Sequence, residues 1–249
     1  MNLIPVIDLQ AGQVVHAVRG ERSRYRPMRS SLAAGSDPLI LASALLQASG
    51  SCILYVADLD ALQGHAPQAA VLAALLAAEP DCTLWLDAGF RDLSQACHLL
   101  EQLGDRAARV QPVFGSESLA SRSAAQAALA ARSHALLSLD RLGDCTLDAA
   151  GCWDDTSLWP QRVIAMTLDR VGAGTGPDLP TLAALRQRAP QDTLFIGAGG
   201  IRDAADLQRA EEAGAHAWLV ASALHDGVLS MHRAGAMTQC SATRHRLLS

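Results

Sequence analysis

The sequence predicts a single (β/α)8 barrel made of two similar halves, and three observations carry that expectation. The chain has 249 residues, and a closed α/β barrel typically needs about 250. Short, almost continuously apolar runs alternate with longer alanine- and leucine-rich segments, the pattern of parallel strands buried on both faces and of the helices that cover them. Stretches of the first half also recur in the second. LWLDAGFRD (84–92) matches LFIGAGGIRD (194–203) with one residue inserted, and VFGSESL (113–119) resembles VASALHDG (220–227). PVIDLQAGQVV (5–15) and LLSLDRLGDCTL (136–147) each end a strand on an aspartate before a glycine-containing turn.

Taken in order, the expected strands are LIPVID (3–8), CILYVAD (52–58), TLWLDA (83–88), RVQPVF (109–114), ALLSLD (135–140), RVIAMTL (162–168), TLFIGA (193–198) and HAWLVA (216–221). Helical patterns lie between them at 37–49, 66–78, 91–103 and 177–189. The fifth helix is weak, because 141–161 contains glycine, aspartate and two tryptophans and reads mostly as loop. The barrel is expected to span 1–233. Residues 234–249 lack any period and read as a loose C-terminal tail.

Composition removes whole classes of function. All 20 basic residues are arginine and the chain contains no lysine, so Schiff-base aldolases, pyridoxal-phosphate chemistry and Walker P-loops are excluded. A net charge of −5 argues against general nucleic-acid binding, which needs a basic surface. Half the residues are hydrophobic with a mean hydropathy of +0.15, which suits a large core. No apolar run approaches membrane-spanning length, and MNLIPVIDLQ has no basic segment ahead of its apolar run. A cytoplasmic protein is expected. The six cysteines form no CxxC pair, and the eight histidines show no HxH or HExxH spacing. No metal and no organic cofactor is expected, although Asp87, Glu117 and Asp140, at strand ends, leave a magnesium site open because spatial clusters need no local motif.

Three glycines, Gly197, Gly199 and Gly200, end the seventh apolar run. A dinucleotide fingerprint would need a third spaced glycine in the first βαβ unit, and neither this loop nor GAGTG at 172–176 provides it. In barrels the loops after strands seven and eight often hold phosphate. Backbone N–H groups without a Cβ in the way approach its oxygens closely. Gly199 and Gly200, with Ala221 and Ser222 after strand eight, are the expected phosphate grip. The first half offers a poorer counterpart in Gly89, Arg91, Gly115 and Ser116. The segment VRGERSRYRPMRS (18–30) carries five arginines and reads either as a solvated basic loop or as an anion clamp led by Arg19 and Arg22. Asp58 and Asp60 alternate along the strand, so one should face the barrel axis and the other the helices. Asp87 reads as a strand-end residue paired with an arginine, and His65 as a surface-loop residue.

IPVIDLQAGQVV, YVADLDAL, the paired turns DAGFRD and GAGGIRD, and VFGSESL together resemble the histidine-biosynthesis barrels, the HisA isomerase and HisF cyclase family, over roughly residues 3–230. The N-terminal IDLQAG is more similar to the isomerase. That likeness implies an Amadori aldose–ketose isomerisation of a phosphoribosylformimino-aminoimidazole carboxamide ribotide. The substrate carries a phosphate at each end, and two carboxylates after strands one and six supply acid and base without a cofactor. Asp8 matches the first carboxylate. At the second, this chain reads MTLDRVGAGTGPD and places Val171 where the resemblance puts the acid. Asp169, two residues earlier, and Asp140 after strand five are the candidate replacements. The arginine-rich segment also looks similar to a HisA/HisF-related group of methanogens and methylotrophs that accompanies one-carbon cofactor pathways. A barrel that binds a phosphorylated metabolite without chemistry is the non-enzymatic alternative.

Overall fold

The computed structural model describes residues 1–130 and 134–229. The proposed tail, 234–249, lies outside the described residues. Eight parallel strands close into a barrel: β1 (Asn2–Gln10), β2 (Ile53–Asp58), β3 (Thr83–Asp87), β4 (Val110–Gly115), β5 (Leu136–Leu142), β6 (Arg162–Thr167), β7 (Leu194–Ala198) and β8 (Ala217–Val220). Each pairs with its sequence neighbours, and β8 closes on β1 with Leu3 opposite Trp218. Every strand lies within one or two residues of its expected bounds.

Alternation along the strands divides the core in two. Ile4, Ile53, Trp85, Val113, Leu136, Ile164 and Ile196 fill the barrel interior. Residues one step along, such as Leu54, Leu84, Leu137 and Val163, pack outward against Leu41, Leu45, Leu72 and Leu99 of the helices. Near the N-terminal end of the barrel lies the buried Arg162, which donates to Gln111 Oε1 at 2.8 Å and stacks 5.9 Å from the Trp85 ring. Burial lowers its pKa to about 10.

The covering helices include Pro38–Ser49, Ala69–Ala78, Leu93–Leu103, Arg122–Leu129, Leu179–Arg188 and Ala204–Glu212. Their starts follow from capping. Asp37 accepts from Leu39 and Ile40 N–H ahead of a proline at the first helical position. The second helix begins at Ala69 rather than 66 because Asp58 draws the Gln68 N–H to 2.6 Å and holds the preceding turn. The repeated Arg-Asp dipeptides behave alike. Asp92 and Asp203 both adopt extended backbone and accept from the N–H three residues on, while Arg91 and Arg202 N–H each donate to a side chain four residues on. Residues 141–161 form no α-helix: Asp148 ties the Cys152 and Trp153 N–H groups into a turn, and Trp159 fills the space, fully buried with its Nε1 on Cys152 O at 2.7 Å.

Candidate active site

The C-terminal mouth of the barrel opens into a cavity of about 410 Å³, within the range of small-molecule sites. Small residues at the strand tips, Ala57 of β2 and Ala198 of β7, leave the room. Tyr25 and Met28 from the β1 loop and Leu59 and Leu62 from the β2 loop give it apolar walls. The β1 loop reaches across as a hairpin, Gln13–His16 pairing with β1 and with Arg26–Pro27. It rests on the β6 loop so closely that a Cβ on Gly172 would stand 2.1 Å from Ala17 O.

One side of the cavity is carboxylate. Asp8 of β1 lies level with Ala57 of β2, which lies level with Asp87 of β3. Asp140 of β5 and Glu117, just past β4, complete the group, and all four line the cavity. Asp87 accepts from the Tyr55 hydroxyl and from Gly89 N–H, each at 3.1 Å. Asp140 accepts from Ser138 Oγ at 2.6 Å and Glu117 N–H at 3.1 Å. Its carboxylate lies 3.0 Å from the point a Cβ would occupy on Gly115, which is why β4 ends on glycine. Burial first, then the negative charge of Asp87, raises the Asp8 pKa to about 7. Asp140 is pushed well above the carboxylate range by burial and by Glu117, against the pull of its Ser138 hydrogen bond. Tyr55 is raised by burial and by the same carboxylates, so its hydroxyl stays a donor.

The other side is glycine loop. Gly199 and Gly200 both have positive φ, 81° and 82°. A Cβ on Gly200 would lie 2.1 Å from Gly176 O, and Trp218 fixes the turn by donating Nε1 to Gly199 O at 3.1 Å. Gly199, Gly200, Ala221 and Ser222 all line the cavity together with His16, whose Nε2 lies 3.4 Å from Ser222 Oγ. Arg202 stands at the rim with its guanidinium on Asp206 at 2.8 and 3.0 Å.

Several expected site residues are not brought to the cavity. β6 ends at Thr167 and a 3-10 turn, Leu168–Arg170, follows. Strand alternation therefore does not extend to Asp169, whose carboxylate instead accepts Gly143 N–H at 3.0 Å; Val171 lines the cavity. Gly89, Arg91, Gly115 and Ser116 are absent from the lining. The helix Leu59–Leu62 lies over Gly89, with Leu62 Cα 2.9 Å from its missing Cβ, and Ser116 is fully buried with its hydroxyl toward Asp140. Arg19 is exposed at the β1 loop, away from the lining, with its N–H on Val171 O. The Arg22 side chain lies outside the described residues. Arg24 pairs with Glu21 in solvent and Arg26 donates to the Tyr25 carbonyl, so this segment faces the cavity with tyrosine and methionine.

Asp58 and Asp60 both serve as local supports, the first as cap of Leu59–Leu62 and the second as acceptor for Ala11 N–H. Asp58, one step from the inward Ala57, faces outward toward the helices, and Asp60 does not face the barrel axis because the chain turns helical at Leu59. Sequence reasoning missed Tyr55 and His16 and took Asp87 for a structural residue. Alternation from Ala57 would have placed Tyr55 inside the barrel, while no local signal marks His16, which arrives by tertiary folding of the hairpin. Among the described residues no cluster of three His, Cys, Asp or Glu side chains has the arrangement to hold a metal ion, and no helix is long and apolar enough to cross a membrane.

Comparison with known proteins agrees with the barrel fold. An uncharacterized protein of Methanocaldococcus jannaschii is 27% identical over 236 residues, covering 93% of this chain and 96% of its own. A Listeria innocua protein named 1-(5-phosphoribosyl)-5-((5-phosphoribosylamino)methylideneamino) imidazole-4-carboxamide isomerase is 25% identical over 251 residues, covering 93% and 95%. The Cereibacter sphaeroides protein of the same name is 28% identical over 245 residues, covering 94% and 98%. The family model described as "Histidine biosynthesis protein" matches residues 2–230, so the chain belongs to the histidine biosynthesis protein family of barrels.

Proposed function

We propose that this chain is an acid–base enzyme that isomerises a phosphorylated sugar or aminosugar, with the phosphate held between the β7 and β8 loops. The observation that carries this reading is Asp8, a carboxylate in the cavity whose pKa is raised to about 7. A general base works best when its pKa lies near the working pH. The family's named isomerases support the reaction class at 25–28% identity. Asp140, kept protonated by burial and Glu117, gives its proton to the ring oxygen as the ring opens. Asp8, ionised, takes the C2 proton of the opened sugar and delivers a proton to C1, while the C2 hydroxyl proton passes to the Asp140 carboxylate as the ketone forms. The Tyr55 hydroxyl, already turned toward Asp87, steadies the negative charge on that side. Gly199, Gly200, Ala221 and Ser222 supply N–H groups to the phosphate, and the Ser222 hydroxyl and His16 flank it.

The histidine-pathway isomerisation is the narrow form of this reading. Val171 in place of an acid and the engagement of Asp169 with Gly143 favour the broader form, a divergent member acting on another phosphorylated sugar. A purely binding barrel would have no need of an aspartate held near neutrality. The reading is tested by incubating the protein with the histidine-pathway ribotide and a panel of aldose and aminoaldose phosphates in D₂O. Deuterium entering at C1 of the ketose product and at C2 of the recovered aldose is the expected result, falling by at least about 100-fold in Asp8→Asn, since a positioned base contributes typically 10²–10⁴-fold. Exchange that persists at the wild-type rate in Asp8→Asn would remove the aspartate from the mechanism.

A further inference from the structure

The two ends of the cavity differ in what they offer an anion. We infer that the substrate carries one phosphate only, held at the β7 and β8 loops, and that its other end is a non-anionic, hydrogen-bond-donating group lodged against Asp87, Glu117 and Asp140. This rests on the phosphate reading of the β7–β8 side given above and departs from the substrate with two phosphates that the family likeness suggests.

A second phosphate would need free N–H donors in the β3 and β4 loops. Gly89 N–H goes to Asp87 and Arg91 N–H to Gln95 Oε1. Ser116 N–H goes to Ser138 O at 2.8 Å and Glu117 N–H to Asp140 at 3.1 Å. Ser118 and Leu119 N–H both go to Gly115 O, and Ala120 N–H to Arg91 O. Each of these donors is already engaged by an acceptor of the protein, although the Phe90 N–H of the β3 loop, whose side chain is buried, is not among them. On the β7–β8 side, by contrast, the loop and cap hydrogen bonds of the described residues use no N–H from Gly200, Ser222 or Ala223. Side chains repeat the contrast. The cavity's basic residues, His16 and Arg202, both stand beside the β7–β8 loops, where Asp226 is the acidic neighbour. The opposite wall has three carboxylates and no arginine, because Arg91 is exposed and outside the lining. The Leu59–Leu62 turn, seated on Gly89, covers the approach a second anion would take.

An anion placed there would meet the carboxylates of Asp87 and Glu117 with no basic side chain beside them, whereas a hydroxyl or an amine finds acceptors. The test is isothermal titration of the full-length protein with inorganic phosphate, ribose 5-phosphate and ribulose 1,5-bisphosphate at pH 8. Ribose 5-phosphate is expected to bind, and ribulose 1,5-bisphosphate to bind at least 10-fold more weakly. In Glu117→Gln and Asp87→Asn the gap should narrow. Equal or tighter binding of the bisphosphate by the wild-type protein would overturn the single-phosphate inference while leaving the grip intact. Failure of both inorganic phosphate and ribose 5-phosphate to bind would instead overturn the phosphate reading itself, and the inference with it. Because the decisive comparison uses the wild-type chain, it stands even if the variants fold poorly.

Discussion

Three aspartates on separate strands of one barrel mouth cannot all ionise freely, and Asp8 records the consequence. Its pKa of about 7, against 3.8 for an unburied aspartate, disfavours its charged form by a few kcal/mol at high pH, since each tenfold change in proton affinity is worth about 1.4 kcal/mol. The sign follows from linkage. Below about pH 4 the folded and unfolded chains both carry the proton, and Asp8 costs nothing. As pH rises toward 7 the unfolded chain ionises first, so the folded state loses stability progressively, and above 7 the loss is complete. Asp8→Asn is therefore expected to leave the melting temperature unchanged near pH 4 and to raise it by roughly 10 °C at pH 8, at about 2–4 °C per kcal/mol for a chain of this size. Calorimetric scans of both proteins at the two pH values check this. A variant no more stable than wild type at pH 8 would mean that Asp8 ionises without penalty. The aspartate itself was legible in the sequence, since it ends the first apolar run. Its environment was not, because Asp87 reaches it only through the β1–β2–β3 register.

At the level of elements, the loops rather than the strands decide what the barrel can hold. The strands were readable because parallel strands covered on both faces are continuous apolar runs. The loops were readable only where a backbone conformation demanded a particular residue. Gly200 is such a case, with positive φ and the Gly176 carbonyl 2.1 Å from where its Cβ would lie. Gly200→Ala should cost about 3 kcal/mol or more and weaken phosphate binding. Gly12→Ala, equally left-handed at φ 76° but facing open space, should cost about 1–2 kcal/mol from the backbone alone. Urea unfolding of the two variants separates close packing from conformational strain, and equal losses would deny the contact between the β6 and β7 loops. Asp169 shows the limit of pattern reading. Period-two alternation holds only while the strand lasts, and this one ends at Thr167. The arginines of the β1 loop show another. Arg24 and Arg26 belong to a segment that enters the mouth, yet they bond to Glu21 and to the Tyr25 carbonyl, so Arg24→Gln with Arg26→Gln is expected to change phosphate affinity by less than about twofold. A tenfold loss on titration would restore them as an anion clamp.

For the whole molecule, the half-barrel repeat creates two equivalent loop pairs and the structure uses them differently. Asp92 and Asp203 cap their helices in the same way, but Ser116 turns into the protein while Ser222 lines the cavity. The result is a mouth with donors on one side and carboxylates on the other, an arrangement suited to holding a phosphate while moving protons a few bonds away. The repeat could be seen in the sequence as DAGFRD and GAGGIRD. The divergence of use could not, because it depends on where each loop's N–H groups find acceptors. On the proposed reading, Asp8 titrates near neutrality and senses a phosphate across the cavity. The most direct test is a ¹³C carboxyl NMR titration of the full chain from pH 3 to 9, with and without inorganic phosphate, the Asp8 resonance assigned by its loss in Asp8→Asn. An inflection near pH 7 that moves higher when phosphate binds is the predicted result. An Asp8 that titrates near pH 4 and is indifferent to phosphate would rule out its proposed role as the base.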